Sequence, residues 1–267
     1  MSKTIKIFGE RNTSTNALKA LILSNSASMI APAVARDLDP NLKRKQRLVK
    51  KFGLPKALHE WMIDEAFKGR GPVEAWKHTA TNFDNVSAFS NCHLIFCVRH
   101  PASWVLGLFK RPYHIYGTAP DSLYEFLKKR WKTRNRERLD GQTVGATRLY
   151  NLKITAFEQF QTKLAASGIT YSVVRHEDFA VDQKAVFSKL VPHLDNPKKE
   201  FVPLEVSTKD QGKSRDYYKN YYGQQLWRKE IDPRSADLID QEIEWHSLKK
   251  LDYFPLAEKQ QFDNTSN

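Results

Sequence analysis

The chain has only two cysteines among its 267 residues, Cys92 and Cys97. That is too few for a disulfide framework, and both stand too far from any histidine cluster to suggest a zinc site. Both are expected as thiols in or near the core. No apolar run approaches the roughly 18 residues that a membrane helix needs. A first strand expected from about Thr4 leaves no room for a signal peptide, so the chain reads as cytoplasmic, with no membrane partner. It has no internal repeat and no low-complexity segment, which sets aside repeat arrays and polar tracts. Acidic residues are in deficit, 30 against 43 basic, and the net charge of +13 draws polyanions: nucleotides, sulfated or acidic glycans, or nucleic acid. Charge alone does not choose among them.

What is present suits one α/β domain over residues 1–255, followed by a polar tail, 256–267, expected to fray. Forty per cent hydrophobic residues and six tryptophans suffice for a core. Four short apolar runs read as buried strands: Ile5 to Gly9, Val73 to Lys77, His93 to Val98 and Thr170 to Arg175. Helical patterns between them give the rhythm of a mainly parallel central sheet flanked by helices. The stretch "DPNLKRKQRLVKKFGLPKALHEWMIDEAFKG" reads as two helices, with Pro40 and Pro55 near their starts and Gly53 and Gly69 near their ends. Its basic run, Lys43 to Lys51, is either a solvated face or a polyanion patch. Leu123, Phe126, Leu127 and Trp131 mark an amphipathic helix, Leu149 to Leu164 a long one, and about Ser235 to Lys250 a last one.

The chemistry begins in "IKIFGERNTSTNALKALI". Residues Gly9 to Asn16 can be laid on the nucleotide loop G-x-x-x-x-G-K-[ST], but Ser14, Thr15 and Asn16 stand where the second glycine, the lysine and the hydroxyl belong. Without lysine and a metal-binding neighbour, the β/γ-phosphate arrangement of a kinase is difficult to build. Backbone N–H groups at a helix start, flanked by Arg11, Asn12, Thr13, Ser14, Thr15 and Asn16, still suit an oxyanion. The plainer alternative is a helix cap supplied by Thr13 or Ser14. In "CHLIFCVRHPASWVLGLFKRPYH" a buried strand runs into Arg99, Pro101 and a helix, which puts a cation where α/β folds bind ligands. In "VEAWKHTATNF", Lys77 offers a cation and His78 a base of ordinary pKa near 6.5. Glu10, His100, Glu60 and His59 are weaker candidates for the base.

These segments resemble the sulfotransferases that use 3′-phosphoadenosine 5′-phosphosulfate (PAPS). In that family a phosphate-loop-like strand, loop and helix with small and hydroxyl residues holds the 5′-phosphosulfate, as "FGERNTSTNAL" would. A lysine before the hydroxyl run neutralises the leaving oxygen; here Asn12 takes its place and Arg11 precedes it. The resemblance implies that Arg11 either takes over the lysine's work or only binds the donor. It also implies that Arg99 holds the 3′-phosphate. The family's partner serine falls on Gly107, with Ser103 and Lys110 one turn to either side. Lys77 and His78 resemble the family's catalytic lysine and histidine, but are adjacent, so a bulge would be needed to point both inward. Further on, "YSVVRHEDF" resembles a later strand of the family. "STKDQGKSRDYYKNYYG" resembles its basic loop over the adenosine, with Lys213 and Arg215 as ligands. "EWHSLKKLDYFP" resembles its ending.

The resemblance implies transfer of a sulfuryl group from PAPS to a hydroxyl or amine, with no metal required. Residues 41–71 and 112–138 would shape the acceptor cleft, and their basic side chains favour an acidic acceptor such as a glycan. Two other readings remain open: an ATP-dependent phosphotransferase, and a non-catalytic polyanion or RNA binder, for which Tyr217 to Tyr222 would be the stacking platform.

Overall fold

Along the first strand run, side chains alternate between two buried faces, so Ile5, Ile7 and Phe8 are all apolar, as in a parallel strand covered on both sides, and Lys6 is the exception. The computed structural model describes residues 3–113, 118–206 and 212–258. Strand β1 (Thr4–Gly9) leads through α1 (Thr15–Asn25), α2 (Ala35–Leu38), α3 (Leu42–Lys51) and α4 (Lys56–Phe67) to β2 (Cys92–Val98). From there α5 (Pro101–Lys110), α6 (Leu123–Lys128), a ribbon of β3 (Trp131–Lys132) and β4 (Thr143–Val144), and α7 (Ala146–Ala166) lead to β5 (Tyr171–Arg175). Helices α8 (His176–Val181), α9 (Gln183–Leu190), α10 (Arg215–Gly223) and α11 (Pro233–Glu242) follow.

The order of the main sheet is β1-β2-β5, all parallel, with Phe8 beside Phe96, Gly9 beside Cys97 and Val98 beside Arg175. On one face Phe8, Leu94 and Phe96 meet Phe83, Phe89 and Phe160. On the other, Ile5, Ile7, Ile95 and Cys97 meet Leu18, Leu21 and Ile22 of α1 and Val186, Phe187 and Leu190 of α9. Cys92 and Cys97 are buried free thiols within β2. Among the described residues no helix is long and apolar enough to cross a membrane.

Three of the four expected strands form; Val73 to Lys77 does not. Pro72–Glu74 is a single 3-10 turn, and the sheet edge beside β1 is taken by Met29 to Ala31, whose backbone brackets Ile5 with bonds of 2.8 and 2.9 Å. Lys6 is the one charged residue of β1. Its side chain is fully buried, and its ammonium donates to the carbonyls of Pro32 at 2.7 Å and Ala75 at 2.6 Å. With Met29 to Ala31 already paired along that edge, the Val73 to Lys77 segment has no free ladder to join, and its Ala75 carbonyl turns to the Lys6 ammonium. Burial pushes the Lys6 pKa down to about 7.

Two helices are shorter than expected. Lys129 turns extended after α6, and Trp131 leaves the helix to pair with Val144. Helix α11 stops at Glu242, where Ile243 becomes extended, and two 3-10 turns, Trp245–Ser247 and Lys249–Leu251, follow. Helices α3 and α4 end as expected, on Gly53 and Gly69, whose φ angles of 61° and 71° favour glycine. Of the expected polar tail, residues 259–267 lie outside the described residues.

His93 on β2 is fully buried between Thr170 and Ser172 hydroxyls, each 3.0 Å from a ring nitrogen, and stacks on His193 at 3.8 Å. Burial first, then His193 and Lys3, lowers its pKa to about 3. The unfolded imidazole takes up a proton near pH 6.5, the folded one only near 3, so stability is full above 6.5 and declines as pH falls toward 3. Urea unfolding should show a loss of roughly 2 kcal/mol from this group between about pH 7 and 5. His93→Gln should flatten that slope; an unchanged slope would contradict the assignment.

Candidate functional site

The carboxyl ends of three neighbouring strands lie level, and each continues into a chemically active group. The loop Glu10 to Ser14 follows β1, Arg99 follows β2, and His176 follows β5. Such ends are where parallel sheets present ligands.

Gly9 approaches β2 so closely that a Cβ there would stand 2.6 Å from the Cys97 carbonyl and 2.7 Å from the Thr13 hydroxyl. The loop then turns through Asn12 and Ser14, both left-handed with φ of 66° and 65°, a conformation that makes successive N–H groups converge. Neither expected cap forms. Thr13 is buried and its hydroxyl donates to the Glu10 carbonyl at 2.6 Å, while Ser14 Oγ meets His176 Nδ1 at 2.6 Å. Helix α1 therefore begins without a side-chain cap, and its first-turn N–H groups have no partner within the helix. Ser14, Thr15, Asn16 and Ala17 line a cavity of about 730 Å³ in front of them. Thr13, expected at the ligand, instead braces the loop from behind.

Arg99 lines the same cavity and is held by all three of its nitrogens. Nε donates to Ser103 Oγ at 2.9 Å, Nη1 to the Asn12 carbonyl at 2.9 Å, and Nη2 to Tyr222 Oη at 3.0 Å. Ser103 is fully buried and does not line the cavity, so it positions Arg99 instead of meeting a ligand. Gly107 has the opposite of a missing function: a Cβ there would sit 3.0 Å from Nη1, and its carbonyl accepts from Asn12 Nδ2 at 3.3 Å. Lys110, Lys213 and Arg215 also line the cavity. Lys110 pairs with Glu230, Arg215 with Glu205 at 3.4 Å, and Lys213 lies 4.6 Å from the Tyr217 ring centre. Residues 207–211 of the basic loop lie outside the described residues.

The Arg11 guanidinium is sandwiched between the rings of Trp76, at 5.2 Å, and Tyr113, at 4.8 Å. Among the described residues no carboxylate pairs with it. Burial lowers its pKa, opposed by the charges of Glu10 and Glu137. Trp76 also carries Arg136 at 4.8 Å, which Glu60 and Asp64 hold from the other side, and His78 edge-on at 4.9 Å.

Lys77 and His78 both line the cavity. Their adjacency raises no difficulty, because the segment is a turn closed by Thr79 N–H on the Trp76 carbonyl, and strand alternation does not apply. The Lys77 ammonium donates to Asn16 Oδ1, and burial lowers its pKa to about 8. His78 Nδ1 lies against the Gly9 carbonyl. A carbonyl only accepts, so the ring proton sits on Nδ1 and Nε2 keeps its lone pair. Burial, then Lys77 and Arg11, hold the His78 pKa well below 6.5.

Glu60 and His59, the weaker candidates on α4, line the cavity; Glu10 and His100 do not. Glu10 is buried against Lys153 at 3.3 Å, and His100 Nε2 faces the Phe254 carbonyl at 3.1 Å. Sequence reasoning missed His176, Trp76 and Arg136 as cavity residues. The strand-end rule that found Arg99 applies equally to His176. Among the described residues no group of three or more His, Cys, Asp or Glu could hold a metal ion. No protein-family model matches the chain, and no curated protein matches it.

Helix propensity alone would have Gly107→Ala stabilise the protein by about 1 kcal/mol. Because Arg99 cannot yield without losing one of its bonds, the variant should instead gain nothing or lose stability in urea unfolding. A full gain would show that the guanidinium is free to move.

Proposed function

We propose that the chain transfers a sulfuryl group from PAPS to a hydroxyl or amine acceptor, on a phosphate-loop-like fold. The observation that carries this reading is the pairing of two anion-holding groups round one cavity, in a loop without the nucleotide lysine. The first group is the uncapped start of α1 with Arg11; the second is Arg99 with Lys213 and Arg215. Arg99 has five N–H donors, of which the protein engages three, so its fork can still grip a phosphate. A cavity of about 730 Å³ is of the size that small-molecule sites have, roughly 300–1,000 Å³.

PAPS supplies an activated sulfuryl group on a phosphate leaving group. First-turn N–H groups of α1 and the Arg11 guanidinium would hold its oxygens. His78 Nε2 takes the acceptor's proton as the acceptor oxygen or nitrogen bonds to sulfur and the bond from sulfur to the bridging oxygen breaks. Lys77 neutralises the charge that develops on that oxygen, and with a pKa of about 8 it can also surrender a proton, which arginine cannot. The conflict over Arg11 therefore eases: Arg11 binds, and Lys77 takes the leaving-group role. Tyr217, Tyr218, Tyr221 and Tyr222 line the cavity, Tyr222 buried and Tyr217 41% exposed, and their place beside Arg99 favours a nucleotide over a strand of RNA.

Release of labelled sulfate from PAPS, with water as the default acceptor, tests the assignment. His78→Ala should slow it about 100-fold or more while leaving affinity for 3′-phosphoadenosine 5′-phosphate intact. Unchanged activity would remove His78. The reaction needs His78 neutral and Lys77 charged, so kcat/KM should fall on the acid side only well below pH 6.5 and on the alkaline side near 8. An acid limb at or above 6.5 would contradict the histidine's role.

A further inference from the structure

The outer surface of the α3–α4 hairpin takes no part in the cavity and combines two features that a solvated helix lacks. Helix α3 carries Lys43, Arg44, Lys45, Arg47, Lys50 and Lys51 and no acidic residue. Only Lys45 is paired, with Asp39 at 2.8 Å; among the described residues the other five have no carboxylate partner. A helix stabilised by its own charges would place acids one turn from these bases. Among the cations stand large exposed apolar side chains. Leu48 is 47% exposed and Phe52, one turn later, 67%. Leu54 in the connecting turn is 45% exposed, and Trp61 on α4, one turn before the exposed Glu65, is 57% exposed.

We propose that this hairpin docks on an anionic lipid surface, lying in the interface without crossing it. The unpaired cations match anionic headgroups, and Phe52, Leu54 and Trp61 reach the depth where apolar side chains leave water. A soluble polyanion such as RNA or an acidic glycan answers the charge but gives the exposed Phe52, Leu54 and Trp61 nothing to bury against. Leu42 and Gln46, on the inner face of α3, line the cavity, so docking would hold one cavity wall about one helix diameter, roughly 10 Å, from the membrane surface. The inference rests on charge and exposure and is independent of the reaction.

Cosedimentation of the full chain with phosphatidylcholine vesicles, with and without about one-quarter phosphatidylglycerol, tests it. Binding is expected to the anionic vesicles alone. Phe52→Ser with Trp61→Ser should weaken it about tenfold, and Arg44→Glu with Arg47→Glu should abolish it. All four side chains are exposed, and circular dichroism melting confirms that the variants fold. Failure to sediment with anionic vesicles would overturn the proposal. So would undiminished binding of the Phe52/Trp61 variant, or an acidic polysaccharide that competes equally for both proteins, since either marks a purely electrostatic surface.

Discussion

The Arg99 guanidinium divides its nitrogens among three elements that are far apart in the chain: α5 through Ser103, the loop after β1 through Asn12, and α10 through Tyr222. A planar fork with fixed donor directions fits only one mutual placement of its acceptors. The start of α1, the first turns of α5 and the tyrosine face of α10 are thus held round a common point, and that point is the cavity. Lysine, a single charge on a flexible stem, would neutralise the same volume without fixing its shape.

Two glycines make this closeness possible. Gly9 lets β1 end against Cys97, and Gly107 leaves room for the fork. Behind the cavity, Lys153 donates to the His78 carbonyl and lies 3.3 Å from Glu10 and 3.8 Å from Glu137. These buried carboxylates offset the cations that crowd the front, so that Arg11, Lys77 and Arg99 can face one volume together. Desolvation pushes Glu137 upward in pKa while Lys153 pulls it down, the balance expected where a buried acid supports nearby cations.

Much of the sheet was legible because its strands are short apolar runs, broken in β1 only by Lys6. Ile5 to Phe8 and Leu94 to Val98 have both faces covered, and Gly53 and Gly69 mark helix ends that only a left-handed residue closes easily. The stretch Val73 to Lys77 was misread because a short run of Val, Ala and Trp is the same in a strand as in a turn over a core. The sheet edge it would join is taken by Met29 to Ala31, and its Ala75 carbonyl meets Lys6, sixty-nine residues away in sequence, which no local pattern reveals. Trp131 and residues Ile243 to Lys250 were misread for a related reason: apolar residues at helical spacing continued past the point where the backbone turned extended. Arg11, Lys77, His78 and Arg99, which line the cavity, stand out in the sequence as charged or titratable residues beside apolar runs, although the run before Lys77 is not a strand. Trp76 and Arg136 do not, since their importance lies in stacking across elements.

Two groups of cations stand out within the net charge of +13: those that face the cavity and those on the outside of α3. The central proposal concerns the first: that a loop without a lysine, joined by Arg99, would select a nucleotide with phosphates on two positions of its ribose. Titration calorimetry with 3′-phosphoadenosine 5′-phosphate, set beside ATP with Mg²⁺ and RNA, tests that claim most directly. The bisphosphate should bind without metal, and Arg99→Ala should weaken it by about 10- to 100-fold. Binding of ATP with Mg²⁺, and none of the bisphosphate, would contradict it.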